Sequence, residues 1–190
     1  MNNTARIILI IIALICLNAC TKEKREATYN SQEDKIEKYI SSNMYKKTTE
    51  DGTSRTDTLR VVYNGGASRL VTTEGLGEEL TSEGTVSFYY AGYTFNGSKS
   101  YSNMFMTNHE ETAKAAKWEL EGASYEPVVL DMKDTEILVG LRDGLIGVRS
   151  GENCQILFSG KYGFGKQPFG IIPADSALLF EIWDVRVSNE

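Results

Sequence analysis

The chain has 190 residues, of which 41% are hydrophobic and 24% are charged, as expected for one globular domain with short appendages. Its formal net charge is −6, and the one dense charge cluster, KEKRE at residues 22–26, mixes both signs. The absence of a basic stripe argues against a nucleic-acid partner.

The first twenty residues, MNNTARIILIIIALICLNAC, have the pattern of an export signal. An apolar run over residues 7–17 follows Arg6 and is shorter than the roughly 20 residues that span a bilayer. It ends in LNAC, which is similar to a bacterial lipobox. We therefore expect residues 1–19 to be a lipoprotein signal peptide and Cys20 to carry the lipid. The mature chain would then be a lipid-anchored protein of the bacterial cell envelope, facing the periplasm or the cell surface. An ordinary secretory signal is the alternative.

Loss of the signal would remove Cys16, and lipidation would occupy Cys20, so only Cys154 would remain and no internal disulfide is expected. Cys154 lies in the strand-like run ENCQILFS and is expected to be a small core residue rather than a nucleophile.

Residues 20–58 are predicted to be a tether followed by a short amphipathic helix. Residues 21–30 are polar. In the segment SQEDKIEKYISSNM, residues 31–44, Ile36, Ile40 and Met44 recur every four positions, and Ser31 is the candidate cap at its start. The apolar face would dock either on its own domain or on a partner. The following KKTTEDGTSRTDT, residues 46–58, is predicted to be a polar, turn-rich connector.

From residue 59 onward, to residue 190, strand patterns dominate. Candidate strands are residues 59–63, 69–72, 85–93, 128–130, 153–158 and 177–187. In the third of these, Val86, Phe88 and Tyr90 share one face.

Two helices interrupt the strands. Ile137, Leu138, Leu141 and Leu145 have helical spacing, and Gly140 among them predicts close approach of a neighbouring backbone. A second helix, from a cap at Asn108 to a stop at Gly122, lies within an insertion of about residues 97–126. It would be a lid, a protein-binding surface or a decoration of the sheet. The fold class is therefore α+β, an antiparallel sheet with a helix on one face.

Motifs for metal, nucleotide or hydrolytic chemistry are missing from the sequence. His109 is the single histidine, and no serine lies in a nucleophile elbow. SGKYGFGK lacks the first glycine of a phosphate loop, where Gln155 stands, and has Tyr162 in place of serine or threonine. We expect no cofactor and no metal.

The C-terminal part, roughly residues 69–187, resembles the FKBP-type peptidyl-prolyl cis/trans isomerases. The resemblance rests on VSFYYAG with NG after it, EILVGLRDGLIGVRSGE, KYGFG, GIIP and ALLFEIW, in this order. It implies an antiparallel sheet curled around one short helix, with an apolar groove between them that takes a proline ring. The partners would be proline-containing peptides or unfolded protein clients.

The resemblance also implies site residues. Tyr90 would line the groove, Phe105 would follow the NG turn, and Leu141 would form the floor. Ile137 and Leu138 would be the pair whose backbone amide meets the substrate carbonyl. Three further residues would complete the walls. They are Phe164, the aromatic of the KYGFG loop, Ile172, which precedes the proline of GIIP, and Phe180 in the last strand.

Three positions depart from the family pattern. Leu141 replaces a tryptophan, Phe164 a tyrosine and Met106 an aspartate, unless Tyr101-Ser102 fill the positions assigned to Phe105 and Met106. The expected function is a peptidyl-prolyl isomerase that assists folding of envelope proteins. The alternatives are a non-catalytic binding module or chaperone on the same fold, and a structural surface lipoprotein.

Overall fold

The computed structural model describes the backbone of residues 3–50, 53–118 and 124–190, and the side chains of 22–46, 56–118 and 124–190. Its helices are α1 (Asn3–Asn43), α2 (Glu110–Ala115) and α3 (Val139–Leu145). The strands before α2 are β1 (Tyr45–Glu50), β2 (Thr53–Thr58), β3 (Val61–Asn64), β4 (Ala67–Thr73), β5 (Leu76–Glu79), β6 (Thr85–Phe95) and β7 (Met104–Thr107). Those after it are β8 (Val128–Asp131), β9 (Arg149–Ser150), β10 (Asn153–Phe158) and β11 (Ala177–Ser188).

One antiparallel sheet organises the domain. Its strand order is β3-β4-β10-β11-β6-β7, and β8 pairs with the first part of β6. The long strands β6 and β11 lie side by side, with Phe180 opposite Gly92 and Ile182 opposite Tyr90. The register shifts between Trp183 and Arg186, and such a bulge bends the strand that carries it. The α+β prediction is confirmed.

Both faces of this sheet carry buried residues, because successive side chains of a strand point to opposite faces and both sets include apolar residues here. The inner face carries Phe88, Ile156 and Phe180 and packs with α3. The outer face carries Tyr93 and Leu179 and packs with α1.

The first helix is longer than predicted. Residues 21–30 were expected to be a tether, but they are part of α1, and Ser31 lies inside the helix rather than at its start. The segment TKEKREATYN is rich in helix-forming lysine, glutamate, arginine and alanine and contains no breaker. Ile36 and Ile40 are buried against the outer face of their own domain.

The predicted signal peptide and Cys20 have side chains outside the described residues. Within the part of the chain that is described, no helix combines the length and apolar character needed to cross a membrane.

The predicted connector is a β-hairpin instead. β1 and β2 pair antiparallel, with Tyr45 opposite Thr58 and Glu50 opposite Thr53. Threonine favours strands, and Asp-Gly at positions 51–52, outside the described residues, is a hairpin turn sequence. The prediction was wrong because the segment lacks the apolar alternation by which strands are recognised.

The inserted helix α2 is shorter than predicted, and Asn108 does not cap it. The Asn108 Oδ1 instead accepts a hydrogen bond from the backbone N–H of Tyr90 at 2.6 Å, and His109 occupies the cap position. The helix ends at Ala115, with Ala116 as its C-terminal cap, and residues 119–122 of the predicted span lie outside the described residues.

Helix α3 lies against β10 with very little space between them. A Cβ at Gly140 would lie 2.2 Å from Cγ of Phe158. The close approach predicted from Gly140 therefore exists, but the neighbour is an aromatic side chain rather than a backbone.

A buried ion pair fixes the end of α3. Arg69 is 2% exposed and Glu152 is fully buried, with 3.1 Å between the Arg69 Nε and the Glu152 Oε1. Arg69 also donates from Nη1 to the carbonyl oxygen of Gly144 at 2.6 Å and from Nη2 to that of Gly147 at 3.0 Å. The guanidinium thus satisfies carbonyl groups that a helix end leaves free.

Candidate active site

An apolar cavity of about 180 Å³ lies between the inner face of the sheet, α3 and the loop after β10. Its walls come from β6, β7, β8, β11, α3 and this loop. The lining residues are Phe88, Tyr90, Phe105, Met106, Val128, Leu130, Leu141, Phe164, Phe169, Ile172 and Phe180. We call this cavity the groove.

Six of the eight residues expected at the site line the groove: Tyr90, Phe105, Leu141, Phe164, Ile172 and Phe180. The side chains of the other two do not. Ile137 is 8% exposed and lies in the inner core, and Leu138, partly buried, packs against that core at the cap of α3. Of the alternative pair, Tyr101 is 52% exposed in a 3₁₀ turn and does not line the groove.

Phe180 is the centre of the aromatic wall. Its ring stacks on Phe158 at 5.9 Å and 15°, and meets Phe105 edge-on at 5.9 Å and 81°. Tyr90 lies 6.1 Å away, tilted by 44°. Each contact falls in the range where aromatic pairs attract beyond their buried area. The wall is therefore held by ring packing as well as by the sheet.

Gly92 makes room for this arrangement. It faces the groove from β6, opposite Phe180, and an added Cβ would lie 2.6 Å from Cζ of Phe105 and 3.2 Å from Cε1 of Phe180. A larger residue would push the Phe105 ring away from the wall.

The loop supplies the opposite wall. The rings of Phe164 and Phe169 stack at 4.6 Å and 4°. Phe169 and Ile172 exchange two backbone hydrogen bonds, of 3.0 and 2.9 Å. Phe169 is 57% exposed although it lines the groove, so an apolar surface continues from the cavity to the solvent.

Sequence reasoning did not assign Phe88, Val128, Leu130 or Phe169 to the site. Alternation could have found Phe88, which shares a face of β6 with Tyr90. Val128 and Leu130 share one face of β8, but that strand was too short to place. No local pattern indicated Phe169, because its position depends on the path of the loop.

The groove has few polar groups. Its one ionisable group, in the described part of the chain, is the Tyr90 phenol, whose pKa burial raises above its usual value. Its oxygen lies 2.6 Å from the Sδ of Met106. The phenol is neutral at physiological pH, so the lining of the groove is apolar and uncharged.

Outside the groove, His109 stacks on Trp183 with 4.2 Å between ring centroids, and its Nδ1 lies 2.9 Å from the Thr112 Oγ1. The described residues contain no group of three or more His, Cys, Asp or Glu side chains that could hold a metal ion.

Comparison with known proteins bears on the same segment. The family model of the FKBP-type peptidyl-prolyl cis-trans isomerases matches residues 77–183, which include every lining residue of the groove. FK506-binding protein 1 of Aspergillus oryzae is 24% identical over 123 residues, which are 65% of this chain and 99% of that protein. The FKBP-type peptidyl-prolyl cis-trans isomerase FkpA of Buchnera aphidicola is 24% identical over 169 residues, 87% of this chain and 56% of that protein.

Two solved structures share the fold. FkpA from Escherichia coli superposes with a TM-score of 0.51 at 16% identity, covering 99% of this chain and 74% of that one. A peptidyl-prolyl cis-trans isomerase from Pseudomonas syringae pv. tomato gives a TM-score of 0.55 at 17% identity, covering 86% and 95%. At these identities the likeness establishes the fold alone.

Proposed function

Because the chain belongs to the FKBP-type peptidyl-prolyl cis-trans isomerase family, we propose that it rotates X-Pro peptide bonds in the groove and does so as a lipid-anchored folding helper for envelope proteins. The family supports the isomerase activity. The observation that carries the assignment of the site is the cavity of about 180 Å³ walled by Tyr90, Phe105 and Phe180.

The mechanism needs no acid, base or nucleophile. Rotation about a peptide bond meets a barrier of about 18–20 kcal/mol, because resonance makes the C–N bond partly double. The twisted amide has lost this resonance and its charge separation. An apolar, dehydrated groove therefore stabilises it relative to the planar amide, which water solvates better.

Each wall has a part in this scheme. The rings of Phe180 and Phe105 hold the pyrrolidine ring, and Leu141 closes the floor behind it. Ile137 and Leu138 act through their backbone at the start of α3, where an N–H would meet the substrate carbonyl. This role is compatible with their side chains packing into the core rather than into the groove.

The envelope location is proposed from the first twenty residues, with Cys20 as the site of lipidation. Metabolic labelling with a fatty acid tests it. Label should enter the wild-type chain and be absent from Cys20→Ala, and equal labelling of both would remove the lipid anchor from the proposal.

The catalytic proposal is tested by proline isomerisation in an X-Pro test peptide with the full-length chain. Leu141→Asn keeps the number and branching of the side-chain heavy atoms but buries an amide in the groove. An amide buried without a partner costs about 1–3 kcal/mol, so we expect kcat/KM to fall by about fivefold to 150-fold.

Val129→Asn is the matched control. Val129 is 64% exposed on β8, between two lining residues, and does not face the groove. The kcat/KM of Val129→Asn should equal that of the wild type. A wild-type chain that binds unfolded protein but leaves the isomerisation rate at its uncatalysed value would refute catalysis and favour the non-catalytic binding module.

A further inference from the structure

The loop that walls the groove is closed at a narrow neck. This groove loop, residues 160–175, carries Phe164, Phe169 and Ile172. Its ends touch, since a Cβ at Gly160 would lie 2.3 Å from the carbonyl oxygen of Asp175. Inside the neck, the Gly165 N–H donates to the carbonyl oxygen of Gly160 at 3.2 Å, and the Asp175 N–H donates to the carbonyl oxygen of Gly165 at 2.6 Å.

One side chain of α1 joins the two ends of this neck. Gln32 Nε2 donates to the backbone carbonyl of Asp175 at 2.7 Å, and Gln32 Oε1 accepts from the backbone N–H of Gly160 at 2.9 Å. A primary amide has both a donor and an acceptor, so it can satisfy one group on each end.

Neighbouring side chains of α1 hold the same neck. The Tyr29 hydroxyl donates to the Asp175 carboxylate, and Arg25 Nε lies 3.5 Å from the other oxygen of that carboxylate. Burial raises the pKa of Tyr29 to about 12, so its hydroxyl keeps its proton at physiological pH. Glu33 accepts a hydrogen bond of 3.1 Å from the hydroxyl of Ser159, the residue before the neck.

We propose that Gln32 is a positioning residue for the groove. It fixes the neck of the groove loop and thereby sets where Phe164, Phe169 and Ile172 stand against the aromatic wall. The proposal rests on the proposed function, because the positioned residues are those that would contact the proline. It adds a part of the chain outside the matched family segment, since α1 precedes residue 77.

The placement of these contacts separates positioning from general stability. The apolar anchors of α1, Ile36 and Ile40, lie against the outer face of the sheet, one to two turns beyond Gln32. Gln32 is only partly buried and touches backbone at the loop ends. Removing its amide should therefore loosen the loop while leaving the helix docked.

The first test is hydrogen exchange on the full-length chain, comparing Gln32→Ala with Asp34→Ala. Asp34 is exposed on α1, and both changes raise helix propensity, so neither weakens the helix itself. We expect the amides of Gly165, Phe169 and Ile172 to exchange about tenfold faster in Gln32→Ala only, from the loss of two hydrogen bonds at the neck. Exchange in β10 should not change.

The second test measures KM and kcat of the same variants with an X-Pro peptide. Gln32→Ala should raise KM by about threefold to tenfold in a chain that still unfolds in one cooperative transition, because the loose wall binds the proline less well. Gln32→Glu keeps the acceptor for Gly160 but sets a carboxylate oxygen against the carbonyl oxygen of Asp175, so it should not restore the wild-type KM.

The two failures are distinguishable. If Gln32→Ala had the same amide exchange rates in the groove loop and the same KM as Asp34→Ala, the positioning role would be overturned and catalysis would stand. A wild-type chain without isomerase activity would overturn the proposed function, and the exchange rates would still decide whether Gln32 holds the loop.

Discussion

Gly140→Ala sets helix propensity against packing within α3. In an exposed helix this change stabilises by about 1 kcal/mol. Here the added methyl group would lie 2.2 Å from Cγ, 2.5 Å from Cδ2 and 2.7 Å from Cβ of Phe158, where ordinary contacts are 3.4–4 Å. The helix and β10 must therefore separate by more than an ångström, or the ring must turn.

Phe158 has little freedom to turn. It is fully buried and stacks on Phe180 in the wall of the groove. Overpacking of a core costs about 1–3 kcal/mol, and the backbone shift places this site in the upper part of that range. After subtracting the gain in propensity, we expect Gly140→Ala to be about 1–2 kcal/mol less stable than the wild type.

Urea unfolding followed by tryptophan fluorescence measures this difference, with the m-value expected to stay constant. Val139→Ala is the control, because Val139 is 53% exposed and the change gains propensity without a clash. It should be as stable as the wild type or slightly more so. If Gly140→Ala were as stable as Val139→Ala, the close packing of α3 on Phe158 would be refuted.

Two further substitutions test the outer face and the buried ion pair. Ile40→Ala should lower the free energy of unfolding in urea by about 2–5 kcal/mol, because Ile40 is 1% exposed. The control Lys38→Ala, at an exposed position of the same helix, should lower it by less than about 0.5 kcal/mol. Equal effects would mean that α1 is not docked. Arg69→Met should cost about 3–5 kcal/mol at pH 7, because it leaves the Glu152 carboxylate buried with only the partly exposed Arg60 guanidinium, 3.2 Å from Oε2, as its counter-ion. Burial already raises the pKa of Glu152 above its usual value, so the folded state takes up its proton more readily than the unfolded state. The stability of Arg69→Met relative to the wild type should therefore recover as the pH falls towards the ordinary range of a glutamate, and a deficit that does not change with pH would contradict this.

The positions that the resemblance assigned to the groove walls could be predicted because local sequence specifies them. Alternation in β6 places Tyr90 on one face whatever surrounds the strand, and KYGFG and GIIP mark Phe164 and Ile172 within a short loop. The choice between Phe105 and Tyr101 for one groove position depended on the pairing of β7 with β6. In that register Met104 lies opposite Tyr93, and Phe105 follows it in β7.

Other features depend on contacts between distant parts of the chain. The hydrogen bonds of Gln32 join residues 143 and 128 positions apart, so no local pattern could indicate them. The same holds for the extension of α1. The polar residues 22–30 are compatible with either a helix or a tether, and only the burial of Tyr29 against the groove loop distinguishes the two.

The sequence by itself determined the α+β class and which side chains share a face of each strand, because periodicity and turn chemistry act over a few residues. Only the tertiary structure decided that a second core forms under α1 and that the helix reaches the neck of the groove loop. Those contacts arise when the burial of Ile36 and Ile40 brings two distant segments together.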